Sequence, residues 1–338
     1  MAEIIKLSES VKETDDALIA LHNHFTGEIK AVEAMAAAHL GSVTQMVPNI
    51  AAHIMEAGGK RLRPLLTLSA ARLCRYEGVH DITLAAAVEF MHTATLLHDD
   101  VVDDSDLRRG QPTARKIWGN PASVLVGDFL LGQAFRMMVA TGSTQSLSIL
   151  SDAAAVIAEG EVMQLAALST PHISEDNYLQ IIEAKTAALF AAAAEVGAVI
   201  AEADTPTCEA LKSYGRNLGV AFQLIDDALD YGSVGQALGK NTGEDFREGK
   251  VTLPLILAYH RGGTEQHTFW RRVMGGDIND GDFEQAVSLM HESRALQDTL
   301  VRATHYGEKA KDALGLFQKH ETHKLLTQLV DFCISRAY

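Results

Sequence analysis

Cysteine is scarce in this chain: Cys74, Cys208 and Cys333 stand far apart in 338 residues. They form no CxxC pair and no even framework, which excludes a disulfide-stapled fold and points to a reducing compartment. Basic residues are outnumbered, 29 against 44 acidic ones, for a net charge of −15. Such a balance excludes a nucleic-acid partner, which would want a basic face, and favours the recruitment of cations. Proline is rare, with 7 residues, and no proline- or serine-rich linker divides the chain. Alternating β-branched runs are missing, so an extensive sheet is not expected. The most apolar stretch, 186–203, carries Glu195 and Glu202 and reads as a buried core helix, not a membrane span. The first dozen residues alternate charge with short apolar pieces and show no signal-peptide core, so a cytoplasmic protein is expected.

What is present is helical periodicity. Apolar residues recur at helical spacing nearly throughout, which predicts an all-α fold. Helices are expected over roughly 11–38, 43–57, 64–76, 83–104, 121–140, 145–168, 174–202, 207–231, 250–260, 279–291, 293–316 and 322–336. Their length and burial suit one large domain, 1–338, built on a central bundle. Within it 11–38 is expected to be accessory, 40–260 the catalytic core and 261–338 a set of C-terminal helices.

Two of these helices end in the same pattern, Asp-Asp-x-x-Asp: Asp99-Asp100-x-x-Asp103 and Asp226-Asp227-x-x-Asp230. A helix C-terminus carries partial negative charge and prefers cations. Carboxylates four apart on one face also repel by about 0.2–0.5 kcal/mol. A single acidic helix end could be a solvated surface feature. Two with identical spacing point to bound cations. Carboxylate oxygens without His or Cys partners suit Mg²⁺ or Mn²⁺, and Mg²⁺ typically bridges one or two carboxylates to substrate phosphates. Arg108 and Arg109 after the first cluster, and Lys240 and Lys250 after the second, supply matching phosphate ligands. A third patch, Gly58-Gly59-Lys60-Arg61-Leu62-Arg63-Pro64, puts three cations at a helix start. Cations are unfavourable there unless an anion binds, so the patch reads as a metal-free diphosphate site, without the order of a Walker loop.

Taken together, Gly-Gly-Lys-Arg-x-Arg-Pro, Leu-Leu-His-Asp-Asp-x-x-Asp with Arg-Arg-Gly, Phe-Gln-x-x-Asp-Asp-x-x-Asp, Gly239-Lys240 and Gly249-Lys250-x-Thr252-Leu-Pro254 resemble the trans-polyprenyl diphosphate synthases. The resemblance runs in order from about 40 to 260, and Gly127-Asp128, Glu161 with Gln164, and Lys185-Thr186 fit it as well. It implies an all-α isoprenoid-synthase bundle with a central cavity. It implies that Asp99, Asp100, Asp103, Asp226, Asp227 and Asp230 hold Mg²⁺, three ions bound together with an allylic diphosphate. Arg108, Lys185, Thr186, Gln223, Lys240 and Lys250 would surround that diphosphate, while Lys60, Arg63, His92 and Arg109 would bind isopentenyl diphosphate. His98 is left structural, and Asp104 and Asp106 solvated. The implied reaction ionises the allylic C–O bond, with pyrophosphate leaving. The isopentenyl double bond then adds to the cation, and a proton is lost to the departing pyrophosphate. The Thr186 hydroxyl, the Lys185–Thr186 carbonyls and Gln223 would face the cation.

In such enzymes the residues just before the first aspartate set product length. Here they are Met91, Ala94 and Thr95. The small residues leave a tunnel open along turns about 5.4 Å deep, implying about eight to ten isoprene units, as in quinone (ubiquinone) side chains. Phe90, Met91 or Met137 would then set the floor. The resemblance further implies a homodimer and transient membrane contact for release of an insoluble product. Two other readings remain: a partner-dependent, non-catalytic subunit, and a class I terpene cyclase. The second aspartate pattern and the additional basic patch argue against the cyclase.

Overall fold

In the computed structural model, residues 17–56, 58–168, 174–232, 243–318 and 320–336 are described. The expected all-α architecture is present. Its elements are α1 (Thr26–His39), α2 (Met46–Glu56), α3 (Leu62–Leu73), α4 (His80–Val102), α5 (Ala114–Trp118), α6 (Asn120–Ala140), α7 (Thr144–Leu168), α8 (Glu175–Ile182), α9 (Ala188–Ile200), α10 (Thr205–Asp230), α11 (Glu244–Arg247), α12 (Leu253–Arg261), α13 (Thr264–Met274), α14 (Asp282–Glu292), α15 (Ala295–Ala313) and α16 (Glu321–Ser335). A two-residue ribbon pairs β1 (Leu107–Arg108) antiparallel with β2 (Gln111–Pro112).

Several boundaries have visible causes. Ser174 accepts from Asn177 N at 3.1 Å and Asp204 from Thr207 N at 3.0 Å, so α8 and α10 start on side-chain caps. The expected helix over 174–202 is interrupted: Glu183–Ala187 forms a π-helical turn between α8 and α9. Such an insertion keeps the helix direction but opens its backbone ladder. The N-terminal helix is broken at Phe25, between a helical stretch over 17–24 and α1. α13 was not anticipated. Its sequence holds few apolar residues, and only Phe269, Trp270 and Val273 are buried.

α4 lies along α6. α10 packs along α9 on one side and α15 on the other, and α3 joins α9 to α4. Two apolar clusters meet along α10. One contains Leu211, Tyr214 and Leu218 with α3, α4, α6 and α9, and the other Val220, Leu224 and Leu229 with α12 to α15. Removing a buried leucine from either would cost about 2–5 kcal/mol, so α4 and α10, which carry the two aspartate patterns, are rigidly held. Among the described residues, Asn120–Ala140 alone is long and apolar enough to cross a membrane, and 44% of its apolar window is buried inside the fold.

Candidate active site

The C-terminal ends of α4 and α10 bring the two acidic patterns into one region, closed by the segment after α11. Asp103 caps α4, and its N–H remains in helical register, donating to Asp99 O at 2.8 Å. Asp99 and Asp103 therefore share a face, as the spacing predicts. Lys250 reaches across from the far segment, with Nζ 2.8 Å from Asp103 Oδ2 and 2.7 Å from Glu248 Oε2. Burial works against the Lys250 charge, but Asp103, Asp245 and Glu248 outweigh it and raise its pKa. Asp99 is pushed up to about 7, first by burial and then by Glu161 and Asp103, with Lys185 and Arg108 opposing. Asp100 is 1% exposed and held by Arg108 through two bonds, Nε at 2.9 Å and Nη2 at 2.8 Å. The expected phosphate ligand Arg108 is thus engaged by a carboxylate.

The second pattern divides its labour. Asp226 pairs with Arg336 of α16 at 2.9 Å. Asp227 is buried and accepts hydrogen bonds from the Tyr178 hydroxyl and from Gln223 Nε2, the latter at 2.8 Å. Burial raises its pKa to about 6, with those two donors opposing. Asp230 accepts from the backbone N–H groups of Gly243, Glu244 and Asp245, each at 3.1 Å, and so caps α11. Asp245, half-buried beside this cap, has its pKa raised well above the usual range by desolvation and then by Asp227 and Asp230.

Lys185 and Thr186 lie in the π turn. Lys185 Nζ is 2.9 Å from Glu161 Oε2, and the Thr186 hydroxyl donates to Gln223 Oε1 at 2.9 Å. Both residues, with Gln223, Asp227, Asp245 and Lys250, line a cavity of about 110 Å³. Gly160 of α7 and Gly219 of α10 let the turn approach closely. A Cβ at Gly160 would lie 2.8 Å from Lys185 N, and one at Gly219 would lie 2.7 Å from Ala187 Cα.

On the other side lies the basic patch. Arg61, at φ 46°, and Arg109, at φ 53°, hold left-handed conformations unusual for arginine. Arg109 Nη1 comes within 3.2 Å of where a Cβ of Gly59 would stand, which joins the two segments. Arg63 stacks over Phe190 at 4.5 Å, and its buried Nε finds no hydrogen-bond partner among the described residues. Burial lowers the Arg63 pKa to about 10. Lys60 lies over the Phe332 ring at 5.0 Å, and its carbonyl meets His22 Nε2 at 2.9 Å, so the N-terminal helical segment braces this loop. The His92 pKa is lowered well below the usual value, first by burial and then by Arg63, Arg108, Arg109 and Arg61, so the ring is neutral. Arg61 instead pairs with Glu89.

Lys240 lies outside the described residues. Asp104 and Asp106 turn outward to Arg115, and Asp106 also to Lys116 at 2.8 Å. His98 Nε2 meets Val124 O at 3.1 Å and ties α4 to α6. Phe90, Met91, Ala94 and Met137 are buried in the core cluster, and Thr95 Oγ1 donates to His92 O at 2.8 Å. Sequence reasoning missed Tyr178, Glu89, Asp245 and Arg336. Only Asp245 carried a local signal, as an acidic residue just before Gly249-Lys250.

The donor chemistry fits divalent metal. Every candidate ligand is a carboxylate, and among the described residues no three His, Cys, Asp or Glu side chains converge into a ready-made ion cage. Shared coordination with phosphate is the arrangement Mg²⁺ prefers. Arg63 Nε and Arg336 Nη1, both buried and without a partner among the described residues, are donors shaped for an anion.

A bundle with paired aspartate-tipped helices and two polycationic flanks has the chemistry of a site for a metal-bound diphosphate. Comparison with known proteins makes the class specific: residues 44–290 match the family described as Polyprenyl synthetase, and the chain belongs to it. It is 43% identical to the octaprenyl diphosphate synthase of Escherichia coli (strain K12) over 91% of this chain and 96% of that protein. A decaprenyl diphosphate synthase from Rhodobacter capsulatus superposes with TM-score 0.92 at 46% identity, covering 95% of this chain and 99% of that one. A polyprenyl synthase from Caulobacter crescentus CB15, solved with calcium and isoprenyl diphosphate, superposes with TM-score 0.91 at 50% identity over 95% and 98% of the two chains. The chain is a prenyltransferase, and these relatives place it among the long-chain members of its family.

Proposed function

We propose that the whole chain acts as one catalytic unit that extends geranyl or farnesyl diphosphate by successive isopentenyl units. A product following α4 from Asp99 past turns about 5.4 Å deep would reach about eight to ten isoprene units, the size of a ubiquinone-type side chain. The observation that carries this reading is the Lys250–Asp103 contact at 2.8 Å. It closes the segment after the second aspartate pattern onto the first, so that one ligand can touch both.

Asp99, Asp103 and Asp226 would hold Mg²⁺ against the allylic diphosphate, with Asp100, Asp227 and Asp230 supporting them. The metal ions would supply charge neutralisation that makes pyrophosphate a competent leaving group. Lys185, Lys250 and Arg108 exchange their carboxylate partners for diphosphate oxygens, with Lys240 placed in the same role by its motif. Arg63, Arg109 and Lys60 bind the second diphosphate, beside neutral His92. Thr186 and Gln223 turn oxygen lone pairs toward the ionising carbon. Ala94, with Met91 and Thr95, leaves room below the first motif.

We also propose a homodimer in the cytoplasm. α6 and α7 expose Leu125 (66%), Val139 (63%) and Val162 (65%), a concentration of apolar surface suited to a second copy. Release of so apolar a product would involve brief membrane contact. The decisive experiment supplies the purified chain with Mg²⁺, farnesyl diphosphate and labelled isopentenyl diphosphate and resolves products by chain length. Long polyprenyl diphosphates are expected. Turnover only after adding a second protein would replace this reading with that of a partner-dependent subunit.

A further inference from the structure

Tyr178 sits on α8, two helical turns before Lys185, and is 4% exposed. Its hydroxyl begins a relay with one possible sense. The phenol donates to Asp227 Oδ2, and Gln223 Nε2 donates to Asp227 Oδ1 at 2.8 Å. A carboxylate accepts from both sides, so Gln223 must present its nitrogen to Asp227 and its oxygen away from it. That oxygen accepts the Thr186 hydroxyl proton at 2.9 Å. Thr186 has one proton, already committed to Gln223, so its lone pairs face the cavity. The relay thus fixes the direction of a dipole at the reacting end of the cavity.

Asp227 is 2% exposed, and no ion pair to it is found among the described residues. A carboxylate so placed relies on neutral donors for its solvation. Take away the phenol and Oδ2 loses its donor. Asp227 then no longer dictates which end of the Gln223 amide faces it. A flipped amide would present Nε2 to Thr186, and the Thr186 hydroxyl would turn its hydrogen toward the ionising carbon. That dipole opposes a developing cation. α8 is itself fixed from outside, because Arg302 grips Glu175 in its first turn, Nη2 lying 2.9 Å from Oε2. The phenol is therefore a fixed origin for the relay.

We propose that Tyr178 is a positioning residue for allylic ionisation, acting through Asp227 and Gln223 to aim the Thr186 lone pairs at the reacting carbon. This rests on the prenyl-transfer reading above and extends it to a residue outside every motif. The test is Tyr178→Phe, alone and combined with Gln223→Met. Steady-state kinetics, and calorimetric binding of a non-ionising thiolodiphosphate analogue of the allylic substrate, are measured for each. A misdirected electrostatic group costs on the order of 10²-fold in kcat. Tyr178→Phe is expected to lose about that much in kcat, with KM for both substrates and analogue affinity within about twofold of the parent. Once Gln223→Met has removed the amide, Tyr178→Phe is expected to cost nothing further. A full additional loss in that background, an unchanged kcat in the single variant, or a loss confined to KM overturns the proposal. Should Tyr178→Phe fail to fold, Gln223→Met alone must show the same split of kcat from KM, and its absence overturns the proposal equally. A parent chain without prenyl transfer overturns the functional reading and this inference together. An active parent with an indifferent Tyr178→Phe overturns this inference alone.

Discussion

Gly160→Ala is the smallest change expected to separate catalysis from stability in this fold. The added methyl carbon would stand 2.8 Å from both Ala184 Cβ and Lys185 N, whereas ordinary contact begins at 3.4 Å. The neighbours are backbone and a short rigid side chain, so relief requires the π turn to withdraw by about 0.6 Å. Overpacking of this kind costs about 1–3 kcal/mol. Replacing glycine by alanine inside α7 returns about 0.8–1 kcal/mol of helix propensity. The net loss of stability is small, about 0–2 kcal/mol, and the melting temperature should fall by a few degrees at most. Catalysis is more exposed, because Lys185 and Thr186 travel with the turn. Misplacement by 1 Å can cost about 10²-fold, so a shift of half to two-thirds that size should cost about tenfold or more in kcat. Calorimetric melting and steady-state isopentenyl incorporation measure the two effects separately. Gly27→Ala on α1, where an added methyl meets nothing within 4 Å, is the control and should leave kcat unchanged, its melting temperature moving only upward through the same gain in helix propensity. A Gly160→Ala enzyme with kcat within twofold of the parent would refute the idea that α7 sets the position of the turn.

Other expectations follow from burial and charge. Burial raises Asp99 from an ordinary carboxyl value to about 7, so between roughly pH 4 and 7 the folded, metal-free protein binds more protons than the unfolded chain. Its stability should therefore fall as pH rises through that window, and Asp99→Asn should flatten the slope of melting temperature against pH; an equally steep slope in the variant would count against this assignment. Ala94→Phe should shorten the product, read by chromatography after removal of the diphosphate. Ala94 is 2% exposed, so overpacking should also lower the melting temperature by an amount corresponding to about 1–3 kcal/mol. An unshortened product would move the floor away from this turn of α4.

The parts of the site legible in the sequence are those where function overrides a local rule. Asp99 and Asp103 repel one another at a helix end that prefers cations, and Lys60 and Arg63 crowd a helix start that prefers anions. Conflicts of that kind need no partner to be noticed. Tyr178, Glu89 and Arg336 obey local rules, and their meaning lies in contacts with Asp227, Arg61 and Asp226, which sequence spacing does not encode. The π turn was invisible because an inserted residue leaves apolar periodicity nearly intact over 174–202. Helix α13 was missed for the opposite reason: Thr264–Met274 is polar except for Phe269, Trp270 and Val273, which pack beneath it, and Met274. Helix α10 starts at Thr205, two residues before the expected 207, because Asp204 supplies its cap.

The pairing of carboxylates with cations around the site bears on how the enzyme could work repeatedly. Asp100 holds Arg108, Asp103 holds Lys250, Glu161 holds Lys185 and Asp226 holds Arg336. On the proposed reading, a metal diphosphate would bring its own positive and negative parts, so its arrival would trade one set of ion pairs for another with little change in total charge. The same internal pairs would re-form when pyrophosphate leaves, so that the aspartates would not be left uncompensated. Binding and release would then be near-balanced exchanges, and the growing hydrocarbon tail, held by burial alone, could remain bound and advance by one isoprene unit as each new diphosphate head replaces the one that left.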